Sequence, residues 1–329
     1  MLSANDIGAV VIGRNEGERL RLCLESLSHL KLIVYVDSGS TDGSVELATK
    51  MGVILVKLDL TQPFTAARAR NAGFNALLSN SPTLKYVQFV DGDCQLISGW
   101  LKTASEFLEQ HPKHAVVCGR RKERFPNASI YNRLCDMEWN TPVGEATACG
   151  GDALIRVAAL KEIQGYRNDL IAGEEPEMCF RLRQNGWKIY RLEADMTWHD
   201  AGLTQFKQWW QRTKRGGFAF AAGSDLHGKS EEKYWVKETR SILLWGGVIP
   251  TTLIILGLIV NPLFLLGLFI YLIQILKIAF LHPVDKNSRK NSFFYGFFVV
   301  LGKFPQMIGL LNFASLKLLS KKPTLIEYK

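Results

Sequence analysis

Asp91-Gly92-Asp93 stands at the end of an apolar run, Tyr86-Val87-Gln88-Phe89-Val90. A hard divalent cation takes carboxylate oxygens, and Mg²⁺ is commonly held by one or two carboxylates together with substrate phosphates. Two acids spaced two apart, where the chain leaves a sheet, can both approach such a ligand. The same triplet is also an ordinary turn. A second acidic loop, Asp37-Ser38-Gly39-Ser40-Thr41-Asp42, follows the apolar run Leu32–Val36. Its N–H groups and small hydroxyls suit a nucleotide if a helix follows, and Asp37 can accept a hydrogen bond from a base edge. Helix capping by Asp42 or Ser40 is the plainer use of those residues. Gly150-Gly151-Asp152 lets backbone approach a bulky ligand, or makes a simple turn. Gly173-Glu174-Glu175-Pro176-Glu177 puts acids where a helix dipole favours them.

These loops need elements to hold them. Ala9–Ile12, Leu32–Val36, Val53–Val56 and Tyr86–Val90 read as strands, and Leu20, Leu24 and Leu27 recur at helical spacing. A helix is expected from near Ser44, capped by Asp42 or Thr41, and another over Thr65–Leu78. This alternation predicts an α/β domain with a parallel sheet, helices on both faces, and ligands at the strands' carboxyl ends. Further on, Ala115–Cys118 and Trp187–Leu192 read as strands. Glu175–Asn185 reads as a helix stopped by Gly186, and Gln205–Ala222 as a basic, aromatic helix.

The chain has 329 residues, 47% of them hydrophobic, and a net charge of +9. That length suits one large α/β domain plus an extension. No zinc-finger, homeodomain or RNA-recognition signature accompanies the positive charge, so nucleic acid is not the expected partner. The six cysteines form no CxxC pair and read as reduced thiols. The run Ile7–Ile12 is too short for a signal peptide and reads as a strand.

In order, Ile12-Gly13-Arg14-Asn15-Glu16, Val36-Asp37-Ser38-Gly39-Ser40-Thr41-Asp42, Ala69-Arg70-Asn71-Ala72-Gly73 and Asp91-Gly92-Asp93 resemble family 2 glycosyltransferases of the GT-A fold, of the bacterial exopolysaccharide and cell-envelope type. The resemblance covers about the first two-thirds of the chain. It implies that Asn15, Glu16, Asp37, Ser40, Arg70 and Asn71 face the nucleotide. It assigns Asp91 to the nucleotide side and Asp93 to a divalent metal, Mg²⁺ or Mn²⁺. Gly151 and Asp152 fall beside the donor sugar. Such enzymes have Glu-Asp where this chain has Glu174-Glu175, so Glu175 takes the place of the catalytic base, with Glu174 as runner-up. His199, in Trp198-His199-Asp200, follows in the right order to reach the metal. Arg212 and Arg215 resemble a phosphate-contacting region only loosely. They can meet the diphosphate or a membrane surface. Arg68 reads as a solvated helix residue.

Beyond residue 240 the chain turns apolar. Ile242–Val260 and Leu263–Leu281 are each about as long as a membrane crossing needs, with Asn261-Pro262 between them. Phe293–Phe313, interrupted by Lys303 and Pro305, reads as interfacial or re-entrant. A buried helical subdomain is the alternative for this tail. The expected organisation is a catalytic domain over 1–240 and a membrane hairpin, third segment and basic tail over 241–329. Lys286, Arg289 and Lys290, and then Lys317, Lys321 and Lys322, follow the apolar runs. The positive-inside rule therefore keeps the catalytic domain cytosolic, at the inner membrane of the cell.

The resemblance implies inverting transfer from a nucleotide sugar to a lipid-linked glycan. A polyprenyl-phosphate acceptor is the alternative within the same chemistry. A membrane-tethered nucleotide-sugar-binding partner without turnover is the alternative of another class.

Overall fold

The computed structural model describes residues 6–281, 284 and 288–321. The chain forms two compact units. One comprises Met1–Ala128 with Glu138–Gly202, and the other Ser129–Met137 with Leu203–Lys329.

The first unit begins β1 (Ile7–Gly13), α1 (Glu18–Leu27), β2 (Ile33–Asp37), α2 (Ser44–Lys50), β3 (Ile54–Lys57), α3 (Ala66–Asn80), β4 (Tyr86–Asp91). It continues β5 (Cys94–Leu96), α4 (Trp100–Gln110) and β6 (His114–Glu123). The helix α5 (Ile130–Glu138) follows, lying mostly in the other unit. Then come β7 (Gly144–Ala146), β8 (Ala153–Arg156), α6 (Val157–Glu162), α7 (Glu174–Gln184) and β9 (Lys188–His199). Among the described residues, nine strands form one sheet in the order β3-β2-β1-β4-β8-β6-β9-β5, with β7 on β9.

The expected parallel pairing holds for the first half of the sheet and again between β6 and β9. Strands β1, β2, β3 and β4 pair in parallel, while β8 runs antiparallel between β4 and β6. The alternating pattern was readable because each early strand is an apolar run followed by a helix. The four-residue β8 and the three-residue β5 and β7 are too short to carry periodicity.

Register decides which loops meet. Gly13 pairs with Asp37 and Ile12 with Asp91, so the loops after β1, β2 and β4 leave the sheet at one edge. Helix α3 packs close above them because Gly73 carries no side chain. A Cβ there would lie 2.4 Å from Val10 Cγ1 and 2.9 Å from Val36 Cγ2. Thr65 caps this helix by accepting from Arg68 N–H. Arg68 is not a freely solvated residue. Its guanidinium donates to the carbonyls of Asp59, Gln62 and Pro63. At α2 the cap is the left-handed Gly43, while Asp42 accepts from Ser44 N–H and its hydroxyl.

The second unit holds α8 (Phe206–His227), α9 (Val236–Leu243), a π-helical turn at Leu244–Val248, and α10 (Ile249–Ile259). It then has a 3₁₀ stretch at Pro262–Leu268, α11 (Phe269–Leu281), α12 (Arg289–Leu301) and α13 (Lys303–Leu318). The change near residue 240 is one of composition, while by compactness the chain divides at Gly202–Leu203, with Ser129–Met137 joining the second unit. The reason lies in two glycines. A Cβ on Gly217 of α8 would lie 2.0 Å from Gln306 O, and one on Gly309 of α13 would lie 2.0 Å from Lys214 O. The two backbones touch, so α8 belongs with the tail.

Among the described residues, three helical stretches are long and apolar enough to cross a membrane: Val236–Ile259, Pro262–Leu281 and Arg289–Leu318. Only 6% of the second is covered by protein. Leu258, Ile259 and Leu263 are two-thirds or more exposed. Among the described residues, the chain's own packing leaves this apolar surface uncovered. The third stretch is broken into two helices at Gly302.

Candidate active site

The loop after β2 is built around Asp37. Its Oδ2 accepts from Gly39 N–H (2.9 Å) and Ser40 N–H (3.0 Å), and its Oδ1 accepts from the Tyr35 hydroxyl (3.1 Å). Asn15, in a left-handed conformation with φ 57, fastens this loop to the one after β1. Its Oδ1 accepts from Thr41 N–H, and its own N–H donates to Ser40 Oγ. Glu16 pairs with Arg19 at 2.8 Å, and its Cγ lies where a Cβ on Gly13 or Gly92 would reach. These residues shape one edge of the site.

Arg70 forms its centre. The side chain is 2% exposed and joins three acids. Nη2 lies 2.8 Å from Asp91 Oδ1 and 2.9 Å from Glu175 Oε1, and Nη1 lies 3.2 Å from Glu174 Oε1. Asp91 and the two candidate bases, far apart in sequence, thus share one guanidinium. Glu174 keeps 5% side-chain exposure and Glu175 keeps 16%, so Glu175 is the acid open to a reactant. Burial pushes Glu175 up to about 7, with Arg70 pulling the other way and Glu174 and Asp91 adding to the rise. A carboxyl tuned to that value suits proton transfer near neutrality. For Asp91 burial also works upward, but Arg70 and Arg121 outweigh it and hold the acid below its ordinary value.

Gly151 is required here. A Cβ would fall 2.5 Å from Asp91 Oδ2 and 2.6 Å from Arg70 Nη2. Asp152, expected beside the sugar, is 1% exposed. It accepts from Asp91 N–H (3.0 Å) and the Thr197 hydroxyl (2.8 Å), so it holds the acidic loop from behind. Asn71 is likewise engaged within the protein. Its amide donates to Tyr166 O and Asn168 Oδ1 and accepts from Tyr166 N–H, clasping the turn ahead of α7.

Strand β9 brings His199 opposite both Cys94 and Glu123. His199 Nε2 lies 3.3 Å from Asp93 Oδ2, and Nδ1 lies 3.5 Å from Glu123 Oε2. Two ligands about 2.1 Å from one ion and at a right angle lie about 3 Å apart, so Asp93 and His199 fit one divalent cation. Asp93, Cys94 and His199 offer atoms within 4.8 Å of one another, as do Asp91, Cys94 and Asp152. Burial pushes the Cys94 thiol up, whereas Asp91, Asp93, Asp152 and His199 offer oxygen and nitrogen. These donors suit a Mg²⁺ or Mn²⁺ type of ion. Glu123, 2% exposed, stands beside the imidazole, where a carboxylate can orient a metal-bound histidine, while its oxygens accept from Phe125 N–H and Ala201 N–H.

Three side chains here escaped the sequence reading: Arg121, Glu123 and Trp139. Arg121 reaches the acids because β6 and β9 slip register around it. Arg120 pairs with Asp195 and Arg121 with Thr197. Such a bulge re-aims a side chain. Gly119 permits it, since a Cβ there would lie 2.6 Å from Ala194 O. Arg212 and Arg215 are half-buried on α8, in the second unit.

Residues 9–163 match the family described as Glycosyl transferase family 2. Two curated relatives are pre-mycofactocin glycosyltransferases of Mycobacterium tuberculosis, from strains CDC 1551 / Oshkosh and ATCC 25618 / H37Rv. Each is 26% identical over 236 residues, which cover 68% of this chain and 47% of the relative. The chain thus spans about half the length of the curated relatives it matches. Among solved structures, the mannosyltransferase PcManGT from Pyrobaculum calidifontis, in complex with GDP-Man and Mn²⁺, aligns with a TM-score of 0.59 at 17% identity. The alignment covers 89% of this chain and 86% of that one. At that identity the likeness speaks for the fold. The matched family segment carries Asn15, Asp37, Arg70, Asp91, Asp93 and Asp152, and the sheet gathers their loops at one edge. Over residues 9–163 the chain is similar to glycosyltransferase family 2, and it has the GT-A fold.

Proposed function

We propose that this chain transfers a sugar from a nucleotide-sugar donor to a lipid-linked glycan acceptor at the cytosolic face of a cell membrane, with inversion at the anomeric carbon. One observation carries the reading: Arg70 ties Asp91, on the nucleotide side, to Glu175, the open carboxylate. Donor and base are thereby fixed relative to each other. The GDP-Man and Mn²⁺ complex of the mannosyltransferase supports a nucleotide-sugar donor and a divalent ion. Glu175 takes the proton from the acceptor hydroxyl as that oxygen attacks the anomeric carbon. Asp93 and His199 would hold the ion, which when bound neutralises charge on the departing nucleoside diphosphate. Asp37 and Asn15 keep the nucleotide loops in shape. Arg212 and Arg215 serve the diphosphate or the headgroup layer. The apolar tail supports a lipid-linked acceptor, as in cell-envelope polysaccharide synthesis, because it would bring the chain to the membrane where such substrates lie.

The test is sugar transfer by the full chain in detergent. Labelled GDP- and UDP-sugars are offered with membrane lipid extract, Mn²⁺ or Mg²⁺, and then a chelator. Metal-dependent label in the lipid fraction is the expected result. Donor binding without transfer or hydrolysis under any condition would favour a silent binding partner instead.

Topology gives a second expected result. The turn at Asn261-Pro262 is uncharged and should face outside, with the catalytic unit and both basic stretches in the cytosol. Arg289, Lys290, Lys317 and Lys321 are described residues, whereas Lys286 and Lys322 lie outside them. An interfacial or re-entrant path for the third segment agrees with the packing of α13 against the basic helix α8. A cysteine at Asn261 should react with an impermeant reagent on intact cells, and one at Ser320 should not. Outside labelling at Ser320 would mean a third full crossing.

A further inference from the structure

Arg121 stands among three carboxylates. Nη2 lies 3.2 Å from Asp91 Oδ2 and 3.9 Å from Asp93 Oδ1, and Nε lies 3.5 Å from Asp152 Oδ2. The same Nη2 is 3.1 Å from Cys94 Sγ. The guanidinium lies over the Trp139 ring, 4.9 Å from its centroid, and that ring stands edge-on to His199 at 4.5 Å. A guanidinium keeps its charge in a protein.

Asp93 therefore faces two claims. A divalent ion on Asp93 and His199 would sit close to this fixed cation, away from bulk water, where like charges repel strongly. A diphosphate changes that balance, because its oxygens can be shared by a metal and a guanidinium. The planar fork of arginine is well matched to phosphate. We propose that Arg121 couples metal binding to donor binding: it holds Asp91 and Asp93 against a divalent ion until the donor diphosphate takes the guanidinium over. The inference rests on the reading of Asp93 and His199 as metal ligands. The β6 bulge at Gly119 aims the side chain, and Trp139 supports it while also touching the imidazole.

The experiment is a Mn²⁺ titration of the full chain in detergent, followed by electron paramagnetic resonance of the free ion. It is run alone and with GDP or UDP. Wild type should bind Mn²⁺ weakly alone and much more tightly with the diphosphate. Arg121→Gln should bind Mn²⁺ alone about tenfold more tightly, and gain less from the nucleotide, a coupling of ordinary size. Arg121→Lys keeps charge but cannot span Asp91 and Asp152 together, so it should fall between. The lysine variant carries the test if the glutamine variant does not fold. Mn²⁺ affinity without nucleotide that is no higher than wild type in the folded variants overturns the proposal. Wild type that fails to bind Mn²⁺ in both conditions, or Asp93→Ala that binds it undiminished, defeats the metal reading itself.

Discussion

Glu175→Gln is expected to lower turnover by roughly 10²–10⁴-fold while leaving donor affinity nearly unchanged. The amide keeps the shape and removes the proton acceptor. Arg70 would still hold Asp91 and Glu174, so the donor side should survive. The pH profile gives an independent check. Because burial raises Glu175 to about 7, the wild-type rate should climb as pH rises through that value and the carboxylate forms. Glutamine does not titrate, so this limb should vanish. Stability runs the other way. A carboxyl whose folded value is raised contributes stability that is complete below the ordinary carboxylate range and lost as pH passes about 7. Glu174→Gln should act on stability more than on rate, since that buried oxygen serves Arg70. A large rate loss in Glu174→Gln alone would move the base one residue earlier. Full rates in both variants would point to an acceptor that is already an anion, a polyprenyl phosphate.

Asp93→Ala should abolish the metal-dependent part of nucleoside diphosphate binding and lower turnover by roughly 10²–10⁴-fold. Asp93 is buried between His199 and Arg121, so the thermal transition is measured alongside to show that the variant folds. Calorimetric titration of GDP and UDP, with and without Mn²⁺, measures the effect. Metal-enhanced binding that persists in Asp93→Ala would sink the assignment of this residue. His199→Ala should weaken the same enhancement. Glu123→Gln should do so by a smaller factor, because it acts through the orientation of the imidazole.

How much of this was readable depended on whether a residue's role is local. Asp37, Arg70, Asp91 and Asp93 follow apolar runs or sit on a small-residue helix, and the sheet places the loops after β1, β2 and β4 by register. Their grouping was therefore legible. Asn71 and Asp152 share the same stretches, yet turn to Tyr166, Asn168 and Thr197. Sequence neighbourhood does not reveal which way an amide or a buried acid faces. Arg121 and Glu123 were invisible for another reason. Alternation along β6 assigns faces by odd and even positions, and a bulge breaks that count. The limit near 240 was drawn where hydropathy changes. The limit at Gly202 follows instead from backbone contact between α8 and α13, which composition does not record.

The crossing at Gly217 and Gly309 has a consequence for handling the protein outside a cell. Apolar contacts that depend on excluding water gain nothing in lipid or in a detergent micelle, since both are apolar. Backbone-close packing depends on fit, and it survives in an apolar medium. The α8–α13 pair should therefore stay together through extraction, and truncating the chain between them would tear a joined element. Helices α10 and α11 are in the opposite position. With so little of α11 covered by protein, their solubility is set by the micelle, and the choice of detergent becomes a choice about those two helices.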